Sequence, residues 1–447
     1  MKLKFDSVNT KIYFFSTAFS GGAGIAAKRL YDGLQKYSIN HDLGYSADFE
    51  FMNIGNFAPK PLIGIAKWQQ KIKTSLYYHN IEKQLAGRPE GLELFSPTIL
   101  QHKTPFTNIK EANKHLLSQV HHQINNQINN HEKVLLHLHW INGMIDIPSF
   151  FQSIPKTVPI VWTLHDFNTF TGGCHYPNAC RNYETACKNC VQLGTVGKAN
   201  FAFQNQQIKY NSLKDRNLHI VTPSYWLQKE AEKSSVLAHA KSFQTISNGI
   251  DLEEFKPLNK QDCRKILDIA QDDFVLSFGA EKLDTTRKGL QYLWETLRIL
   301  MTKNLKITLL LFGKNFFVPQ EFSKTINICY VGEVNKSVFQ RIIYSAADVF
   351  VLPSLEDNQP LTCIESMSCG TPVLAFHTGG LPEMVLNHKT GFTAALENSQ
   401  DLADKICYLY NNPEITKQLS TQARNFAIQN FDVLQQAKKH WELYERI

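Results

Sequence analysis

Short apolar segments alternate with amphipathic stretches along most of the chain, and this alternation constrains the fold more than any other feature of the sequence. In the first half, KIYFFSTAFS, KVLLHLHWI and TVPIVWTLHD are separated by stretches of helical periodicity. The pattern starts again after residue 250 with DFVLSFGA, KITLLLFG and AADVFVLPS. Because strands that alternate with helices build parallel sheets covered on both faces, the sequence predicts an α/β protein with two doubly wound domains.

The alternation pauses near residues 245–250, where Asn248 and Gly249 are turn-forming residues. A chain of 447 residues is long enough for two domains that each bury a full core. We therefore predict an N-terminal domain at residues 1–246 and a C-terminal domain at residues 247–429.

The last stretch of the chain, residues 430–447, is predicted to form an amphipathic helix. Its apolar side chains recur at the spacing of one helix face, namely Leu434, Ala437, Trp441 and Tyr444. We expect this helix to pack back towards the N-terminal domain.

Composition and charge exclude several classes of protein. The apolar fraction of 43% and the charged fraction of 19% are those of a globular protein. No apolar run reaches the roughly 18 residues that a membrane-spanning helix needs, and the N-terminal segment lacks the pattern of a signal peptide. The net charge of +7 is not concentrated in a basic run, which argues against nucleic acid as a partner. We therefore expect a cytoplasmic protein.

The segment SLEDNQPLTCIESMSCGTPV, residues 354–373, places carboxylates where a buried parallel strand ends. Pro360 suits the first turn of a helix, and Gly370 suits its end. The N-terminus of such a helix binds anions through its N–H groups and its dipole, while Asp357 and Glu365 can accept hydrogen bonds from sugar hydroxyls. An anion next to a polyol indicates a nucleotide sugar. The alternative is that these acids only stabilise the start of the helix.

The longer segment 354–385 resembles the signature of glycosyltransferase family 4, a family of retaining enzymes with the GT-B fold. The resemblance implies two doubly wound Rossmann-like domains that face each other across a cleft, with a nucleoside-diphosphate sugar as the donor substrate. It implies that Glu365 binds the ribose of the nucleotide. Asp357 stands where the family has a glutamate that contacts the transferred sugar, and Leu361 and Thr362 lie at the helix start that binds the donor.

Two segments of the N-terminal half resemble the same family. The SGGAG turn implies that the main chain at Gly21, Gly22 and Gly24 approaches the donor phosphate. The TLHD segment implies that His165 reaches the donor sugar, with Asp166 either orienting it or lying on the acceptor side. The alternatives are an ordinary turn and a structural histidine.

The TRKGL segment supplies two cations just before a helix. The resemblance implies that Lys288 binds the diphosphate of the donor, with Arg287 beside it. Lys288 would then neutralise the charge that builds up on the leaving group. The alternative is a solvated helix start.

The resemblance also implies the reaction. It implies a hexosyltransferase-type enzyme that retains the anomeric configuration by same-face attack and uses no catalytic metal. The segments HLHWING and 161–193 resemble a subgroup associated with bacterial exopolysaccharide synthesis, including the colanic-acid type. The predicted acceptor is therefore a hydroxyl of a glycan or a lipid-linked glycan in cell-surface polysaccharide or lipopolysaccharide synthesis.

Two alternatives belong to other classes of protein. A nicotinamide-dependent oxidoreductase would need the pattern G-x-G-x-x-G and an acid about 20 residues later, and GGAGIA does not fit that pattern. A non-catalytic scaffold could keep the same fold and bind a nucleotide sugar without turning it over.

Four cysteines lie close together in a predicted insertion at residues 171–193, namely Cys174, Cys180, Cys187 and Cys190. Four thiolates in a short loop can hold one tetrahedral zinc ion, which would stabilise an insertion without a core of its own. Such a zinc would be structural, because four sulfur ligands leave no open position. The alternatives are two disulfides, which a reducing cytoplasm disfavours, and free thiols.

His137 and His139 alternate with leucines and therefore share one face of a predicted strand. They are either hydrogen-bonded core histidines or, for His139 near the strand end, part of an acceptor site.

The segment 60–83 has apolar residues at helical spacing among several lysines, namely Ile65, Trp68, Ile72 and Leu76. Such a helix could lie on an anionic membrane, at the inner face of the plasma membrane, next to a lipid-linked acceptor. The alternative is a helix packed on its own domain.

Overall fold

The computed structural model describes most of the chain. The described residues are 10–17, 21–41, 47–52, 133–142, 144–194, 196–197, 200–322 and 326–447. The chain divides into two compact units, Met1–Ile246 with Ala437–Ile447 and Ser247–Gln436. The predicted membrane-surface helix at residues 60–83 lies outside the described residues.

The first unit is built around a six-stranded parallel sheet. Its strands, in chain order, are β1 (Thr10–Phe15), β2 (Ala47–Met52), β3 (Lys133–Leu138), β4 (Ile160–Thr163), β5 (Leu218–Thr222) and β6 (Ser242–Thr245). In space they follow the order β2-β1-β3-β4-β5-β6, so the direction in which strands are added reverses between β1 and β3. β3, β4 and β5 are almost wholly buried, as expected for central strands of a covered parallel sheet.

Three of the four described α-helices of the first unit begin at a polar side chain that caps them. The four helices are α1 (Gly21–His41), α2 (Ile147–Ser153), α3 (Phe201–Leu213) and α4 (Tyr225–Glu232). Asp146, Asn200 and Ser224 each accept a hydrogen bond from the main-chain N–H three residues later, at the starts of α2, α3 and α4. These side chains satisfy N–H groups that have no partner inside the helix.

The structure corrects the prediction of a separate glycine-rich turn after β1. Helix α1 begins at Gly21, so Gly21, Gly22 and Gly24 all lie in its first turn. Gly21 has a φ of +70°, a left-handed conformation that glycine adopts at no steric cost. The glycines therefore follow β1 as predicted, but they start the helix instead of preceding it.

The second unit contains another six-stranded parallel sheet. Its strands are β7 (Phe274–Lys282), β8 (Ile307–Lys314), β9 (Asn327–Tyr330), β10 (Val349–Leu352), β11 (Val373–Phe376) and β12 (Gly391–Ala394). Their order in space is β12-β11-β10-β7-β8-β9, which reverses direction between β10 and β7. The helices are α5 (Lys260–Ile266), α6 (Leu290–Met301), α7 (Ser337–Ala346), α8 (Leu361–Ser368), α9 (Leu381–Met384), α10 (Ser399–Asn411) and α11 (Pro413–Asn430).

The last helix, α12, covers Val433–Arg446. Its residues from Ala437 onwards belong to the first unit. There Ala437, Trp441 and Tyr444 are buried, so the apolar face seen in the sequence is the face that packs. None of the described helices combines the length and the apolar character needed to cross a bilayer.

The predicted fold class is confirmed. Both sheets have six strands, their strand pairs in the described residues are all parallel, and most of the described connections between strands contain a helix. A sheet of this kind gathers the carboxyl ends of its strands along one edge, and the loops at that edge can build a site.

Candidate functional site

In the second unit, a group of polar residues lies at the carboxyl ends of β7 and β10. These neighbouring strands are the point at which the strand order reverses, and open α/β sheets bind ligands at such a point. The short turn Thr286–Lys288 follows β7, and the loop 353–360 follows β10. The TRKGL segment and the acidic segment are therefore neighbours in space.

A glycine allows these two segments to approach each other closely. Gly289 has a φ of +75°, and a Cβ atom added there would lie only 1.8 Å from the carbonyl oxygen of Pro353. Across this contact, Leu355 N donates to the carbonyl oxygen of Arg287 at 2.8 Å. Arg287 Nη1 in turn donates to the carbonyl oxygen of Glu356 at 2.6 Å. Only glycine combines this conformation with this close approach.

Lys288 and Arg287 both contact the carboxylate of Asp357. Lys288 Nζ lies 2.5 Å and Arg287 Nη1 lies 3.3 Å from Asp357 Oδ2. The Asp357 side chain is only 6% exposed. Burial alone would raise the pKa of Asp357, but Lys288 and Arg287 together hold it below its usual value. Two cations against one anion leave the cluster with a net positive charge, which suits an anionic ligand.

Helix α8 begins next to this cluster without a capping side chain. Its N-cap residue is Pro360, which offers no side-chain acceptor to the first turn. Leu361 and Thr362 are the first two helical residues, and both are partly exposed. Their main-chain N–H groups and the positive end of the helix dipole form the kind of site that binds phosphate.

Glu365 lies in the second turn of α8 and is 3% exposed. Its Oε2 atom accepts a hydrogen bond of 2.9 Å from the hydroxyl of Tyr344 on α7. Tyr344 is fully buried and packs edge-on against Phe312, with ring centroids 5.7 Å apart. The orientation of the Glu365 carboxylate is therefore fixed by a residue that the sequence analysis missed. No local pattern predicts a contact between positions 21 residues apart on two different helices.

The loop after β10 also contains a buried hydroxyl without a partner. Ser354 is 0% exposed, and its Oγ atom makes no hydrogen bond to any described residue. Buried polar atoms are nearly always hydrogen-bonded. Because protein atoms already cover this hydroxyl, it is not counted among the groups that can contact a ligand.

In the first unit, His165 follows β4 at the carboxyl edge of the sheet. Its Nε2 atom lies 3.0 Å from Nδ1 of His139. Burial lowers the pKa of His165 to about 4, against an opposing effect from Asp166. Asp166 pairs with His175, whose Nδ1 atom lies 3.0 Å from Asp166 Oδ2. His165 is therefore neutral at physiological pH.

The two strand histidines have different surroundings. His137 is fully buried, with Nδ1 2.6 Å from the Tyr444 hydroxyl and Nε2 2.8 Å from the Thr163 hydroxyl. It is the hydrogen-bonded core histidine that the sequence analysis offered as one alternative. His139, at the end of β3, is also buried but contacts His165.

The four clustered cysteines converge as free thiols. The neighbouring thiol of Cys190 and burial raise the pKa of Cys174. Burial raises the pKa of Cys187 to about 12. Among the described residues, no group of three or more His, Cys, Asp or Glu side chains is arranged to hold a metal ion. The side-chain positions therefore do not fit a four-thiolate site, and the structural zinc stays a prediction.

Metal analysis of freshly purified protein tests this prediction. If the zinc is present, we expect about one equivalent per chain, and Cys187→Ser should lose it while Cys407→Ser, outside the cluster, keeps it. Less than about half an equivalent in the unmodified protein would contradict the zinc site.

The predicted site residues divide between the two units. In the second unit, the structure brings Arg287, Lys288 and Asp357 into contact. Leu361, Thr362 and Glu365 lie on the helix that starts beside them. Gly21, Gly22, Gly24 and His165 belong to the first unit.

The C-terminal part of the chain matches a known family. Residues 274–412 match the family described as glycosyl transferases group 1. The chain is 26% identical over 301 residues to WcaC of Escherichia coli K12, which is named for colanic acid biosynthesis, and the match covers 63% of this chain and 67% of that protein. It is also 26% identical to an Escherichia coli UDP-Gal:α-D-GlcNAc-diphosphoundecaprenol α-1,3-galactosyltransferase, over 44% of this chain and 53% of that enzyme. The chain thus spans about two thirds of the first relative and about half of the second.

Solved structures share the fold over nearly the whole chain. Sucrose-phosphate synthase from Thermosynechococcus elongatus has a TM-score of 0.63 at 19% identity and covers 98% of this chain, with 98% of its own chain matched. The Anabaena protein HepE, solved in complex with UDP-glucose, has a TM-score of 0.61 at 18% identity, over 98% of this chain and 100% of its own. At these identities the likeness shows the fold. Residues 274–412 are therefore similar to the group 1 glycosyl transferase family, in a chain that has the GT-B fold.

Proposed function

We propose that this chain is a retaining glycosyltransferase of family 4, which transfers a hexose from a nucleoside-diphosphate sugar to a hydroxyl of a glycan or a lipid-linked glycan. The observation that carries the proposal is the contact of Arg287 and Lys288 with Asp357 beside the uncapped start of α8. Such a donor contains phosphates, a sugar and a ribose. Groups that can bind these parts lie together here: a net positive cluster, a helix N-terminus and an oriented carboxylate on the same helix.

The diphosphate would bind Lys288 and the first main-chain N–H groups of α8. Negative charge on the diphosphate increases as the glycosidic bond breaks. A lysine already held in place by Asp357 can stabilise that charge without reorganising, which is usually the largest contribution to catalysis.

Glu365 would bind the ribose, and Asp357 would contact the transferred sugar. The bond from Tyr344 keeps the Glu365 carboxylate in one orientation, which is what recognition of two adjacent ribose hydroxyls requires. Asp357 is ionised because Lys288 and Arg287 lower its pKa, so it acts as a hydrogen-bond acceptor.

In the first unit, Gly21, Gly22 and Gly24 would approach the donor phosphate, and His165 would bind the sugar. Since His165 is neutral at physiological pH, it serves as a hydrogen-bonding group. We propose that the acceptor hydroxyl attacks from the same face as the leaving group, and that the departing phosphate takes its proton. Neither step needs a catalytic metal.

The names of the relatives support a role in cell-surface polysaccharide synthesis. One is named for colanic acid biosynthesis, and another is named as an enzyme that acts on a diphosphoundecaprenol-linked sugar. We propose that this chain acts on an acceptor of that chemical class, at the cytoplasmic face of the membrane that holds it.

A screen for donor binding tests the proposal. In thermal denaturation with UDP-, GDP- and ADP-sugars, we expect one nucleotide to raise the melting temperature clearly. The shift should disappear in Glu365→Ala, because the ribose loses its partner, and should persist in the matched control Glu254→Ala, an exposed glutamate of the same unit. The melting temperature of Glu365→Ala without ligand shows whether the variant is folded. An unchanged shift in Glu365→Ala would contradict the ribose assignment.

The second candidate is a non-catalytic protein that binds nucleotide sugars. This candidate is retained because Asp357 stands where the family has a glutamate. An assay for nucleoside diphosphate release from the bound donor distinguishes the enzyme from the binding protein. The assay is run in the presence of membrane lipid extract. Binding without any turnover would support the non-catalytic protein.

A further inference from the structure

We propose that Trp140, Asp166 and His175 form a carbohydrate-binding subsite in the first unit, which binds one pyranose residue of the acceptor glycan. His175 Nε2 forms a hydrogen bond with a sugar hydroxyl, and the indole of Trp140 contacts the apolar C–H groups of the same sugar. That this sugar belongs to the acceptor rests on the proposed function, whereas the binding of a sugar can be measured without any turnover.

The subsite lies at the carboxyl edge of the first sheet. Trp140 follows β3 and Asp166 follows β4, and these two strands pair in parallel. Thr17, which follows β1, is tied to the same region, because its Oγ1 atom donates to the carbonyl oxygens of Trp140 at 3.0 Å and of Asn142 at 2.6 Å. The strand order reverses between β1 and β3, and open parallel sheets bind ligands at such a point.

His175 comes from the insertion at residues 171–193 and is held by Asp166. His175 Nδ1 lies 3.0 Å from Asp166 Oδ2, and Asp166 Oδ1 accepts a hydrogen bond of 2.8 Å from the main-chain N–H of Asn168. A carboxylate accepts hydrogen bonds and does not donate them, so the proton of the contact with Asp166 lies on His175 Nδ1. The imidazole is therefore held in one orientation, with Nε2 on the far side of the ring from Asp166.

His175 Nε2 is the ring nitrogen that remains for a ligand. It makes no hydrogen bond within the described part of the chain, and the side chain of His175 is 13% exposed. A sugar hydroxyl both donates and accepts hydrogen bonds. It can therefore bind Nε2 whether the imidazole is neutral or protonated, so the subsite does not depend on the charge of His175.

Trp140 places an aromatic surface beside this imidazole. The rings of Trp140 and His175 are stacked, with centroids 4.8 Å apart and planes inclined by 27°, and Trp140 is partly exposed. Sites for small molecules combine aromatic side chains with a few converging polar groups. A pyranose has the complementary chemistry, because its C–H groups form an apolar face and its hydroxyls surround the ring.

The residues behind the subsite hold its loops in place. Asn168 is only 3% exposed, and its Oδ1 atom accepts a hydrogen bond of 2.8 Å from Asn142 Nδ2. Lys209, which is 1% exposed, donates to the carbonyl oxygens of Asn168 and Thr171. The loop after β4 and the start of the insertion are therefore fixed before any ligand binds, which lowers the entropic cost of binding.

Saturation-transfer NMR with methyl glycosides tests sugar binding directly. The probes are the methyl α- and β-pyranosides of glucose, galactose, mannose and fucose, added to the full chain without a donor. We expect saturation transfer to at least one probe, and we expect Trp140→Leu and His175→Phe each to abolish it. His175→Phe keeps a flat ring beside Trp140 and removes both ring nitrogens. No transfer to any probe, or unchanged transfer in either variant, would overturn the inference.

The matched control is His239→Phe. His239 is an exposed histidine of the same unit that lies beside the ring of Tyr210, with centroids 6.0 Å apart. It precedes β6 and so lies at the amino ends of the strands, away from the subsite. The control should leave saturation transfer unchanged, and the melting temperature of each variant shows that it is folded. If His175→Phe is unfolded, the result for Trp140→Leu decides.

Steady-state kinetics distinguish an acceptor sugar from the donor sugar. Membrane lipid extract serves as the acceptor. We expect Trp140→Leu and His175→Phe to raise the extract concentration that gives the half-maximal rate by about 3–10-fold, the effect of losing one hydrogen bond or a comparable contact. The value of kcat and the KM for the donor should not change.

A higher KM for the donor in these variants would mean that the subsite binds the donor sugar, and would contradict the acceptor assignment. If the unmodified protein shows neither donor binding nor turnover, the proposed function fails. The saturation-transfer result still decides in that case whether the subsite binds a sugar.

Discussion

Replacing Lys288 by methionine is expected to lower kcat for donor turnover by about 10²–10³-fold, the cost of removing one preorganised group that stabilises developing negative charge. Methionine keeps an unbranched apolar stem, so the substitution removes the charge and little else. Asp357 keeps Arg287 as a partner, 3.3 Å away, and the protein should remain folded. Nucleoside diphosphate release, measured at saturating donor, checks the prediction.

The control for this substitution is Lys306→Met. Lys306 is an exposed lysine just before β8, at the amino end of the strand, whereas the site lies at the carboxyl ends of the strands. It pairs with Asp272 at 2.6 Å. Its loss should change kcat by no more than about twofold, as for most surface substitutions. If Lys288→Met were as active as this control, the diphosphate would have to bind elsewhere.

Replacing Asp357 by alanine is expected to destabilise the second unit by about 3–5 kcal/mol, because removal of one partner leaves buried charge uncompensated. Lys288 and Arg287 are only 21% and 18% exposed, so water cannot fully replace the lost carboxylate. Urea denaturation of the full chain measures the shift in midpoint of the transition that belongs to this unit. Asp272→Ala removes an ion pair whose side chains are both 67% exposed, and should have a small effect.

The pH dependence of this destabilisation gives a second measurement. Burial would raise the pKa of Asp357, but Lys288 and Arg287 hold it below its usual value. A carboxyl with a lowered pKa stabilises the folded protein fully above its unfolded-state pKa of about 3.9, and this contribution is lost as the pH falls through the folded pKa. The difference in free energy of unfolding between the unmodified protein and Asp357→Ala should therefore be largest at neutral pH and should decrease below about pH 4. A difference that does not change with pH would mean that the lost stability is not electrostatic.

The sequence predicted most of the strands and helices of the second unit. The alternating apolar segments predicted its parallel strands. Pro360 and Gly370 predicted the two ends of a helix, which the structure has at Leu361–Ser368. These features depend on residues close together in the chain. For the same reason, the sequence also predicts that the acids after β10 lie at the carboxyl edge of the sheet.

Contacts between distant segments could not be predicted in the same way. Lys288 and Asp357 were expected to bind different parts of the donor, but they bind each other across 69 positions. That contact depends on the pairing of β7 with β10 and on the close approach at Gly289. Similarly, the sequence showed that His137 and His139 share a face, whereas their different partners depend on β4 and on the final helix.

The pairing of Asp357 with Lys288 and Arg287 also bears on selectivity among cellular anions. A carboxylate attached to the site is present at a far higher effective concentration than any solute, so it is a permanent competitor for the two cations. A small anion such as free phosphate offers too few other contacts to overcome that competition. The proposed donor, a nucleotide sugar, would offer a base, a ribose and a hexose in addition, and so the site would exclude simple salts and still bind that donor.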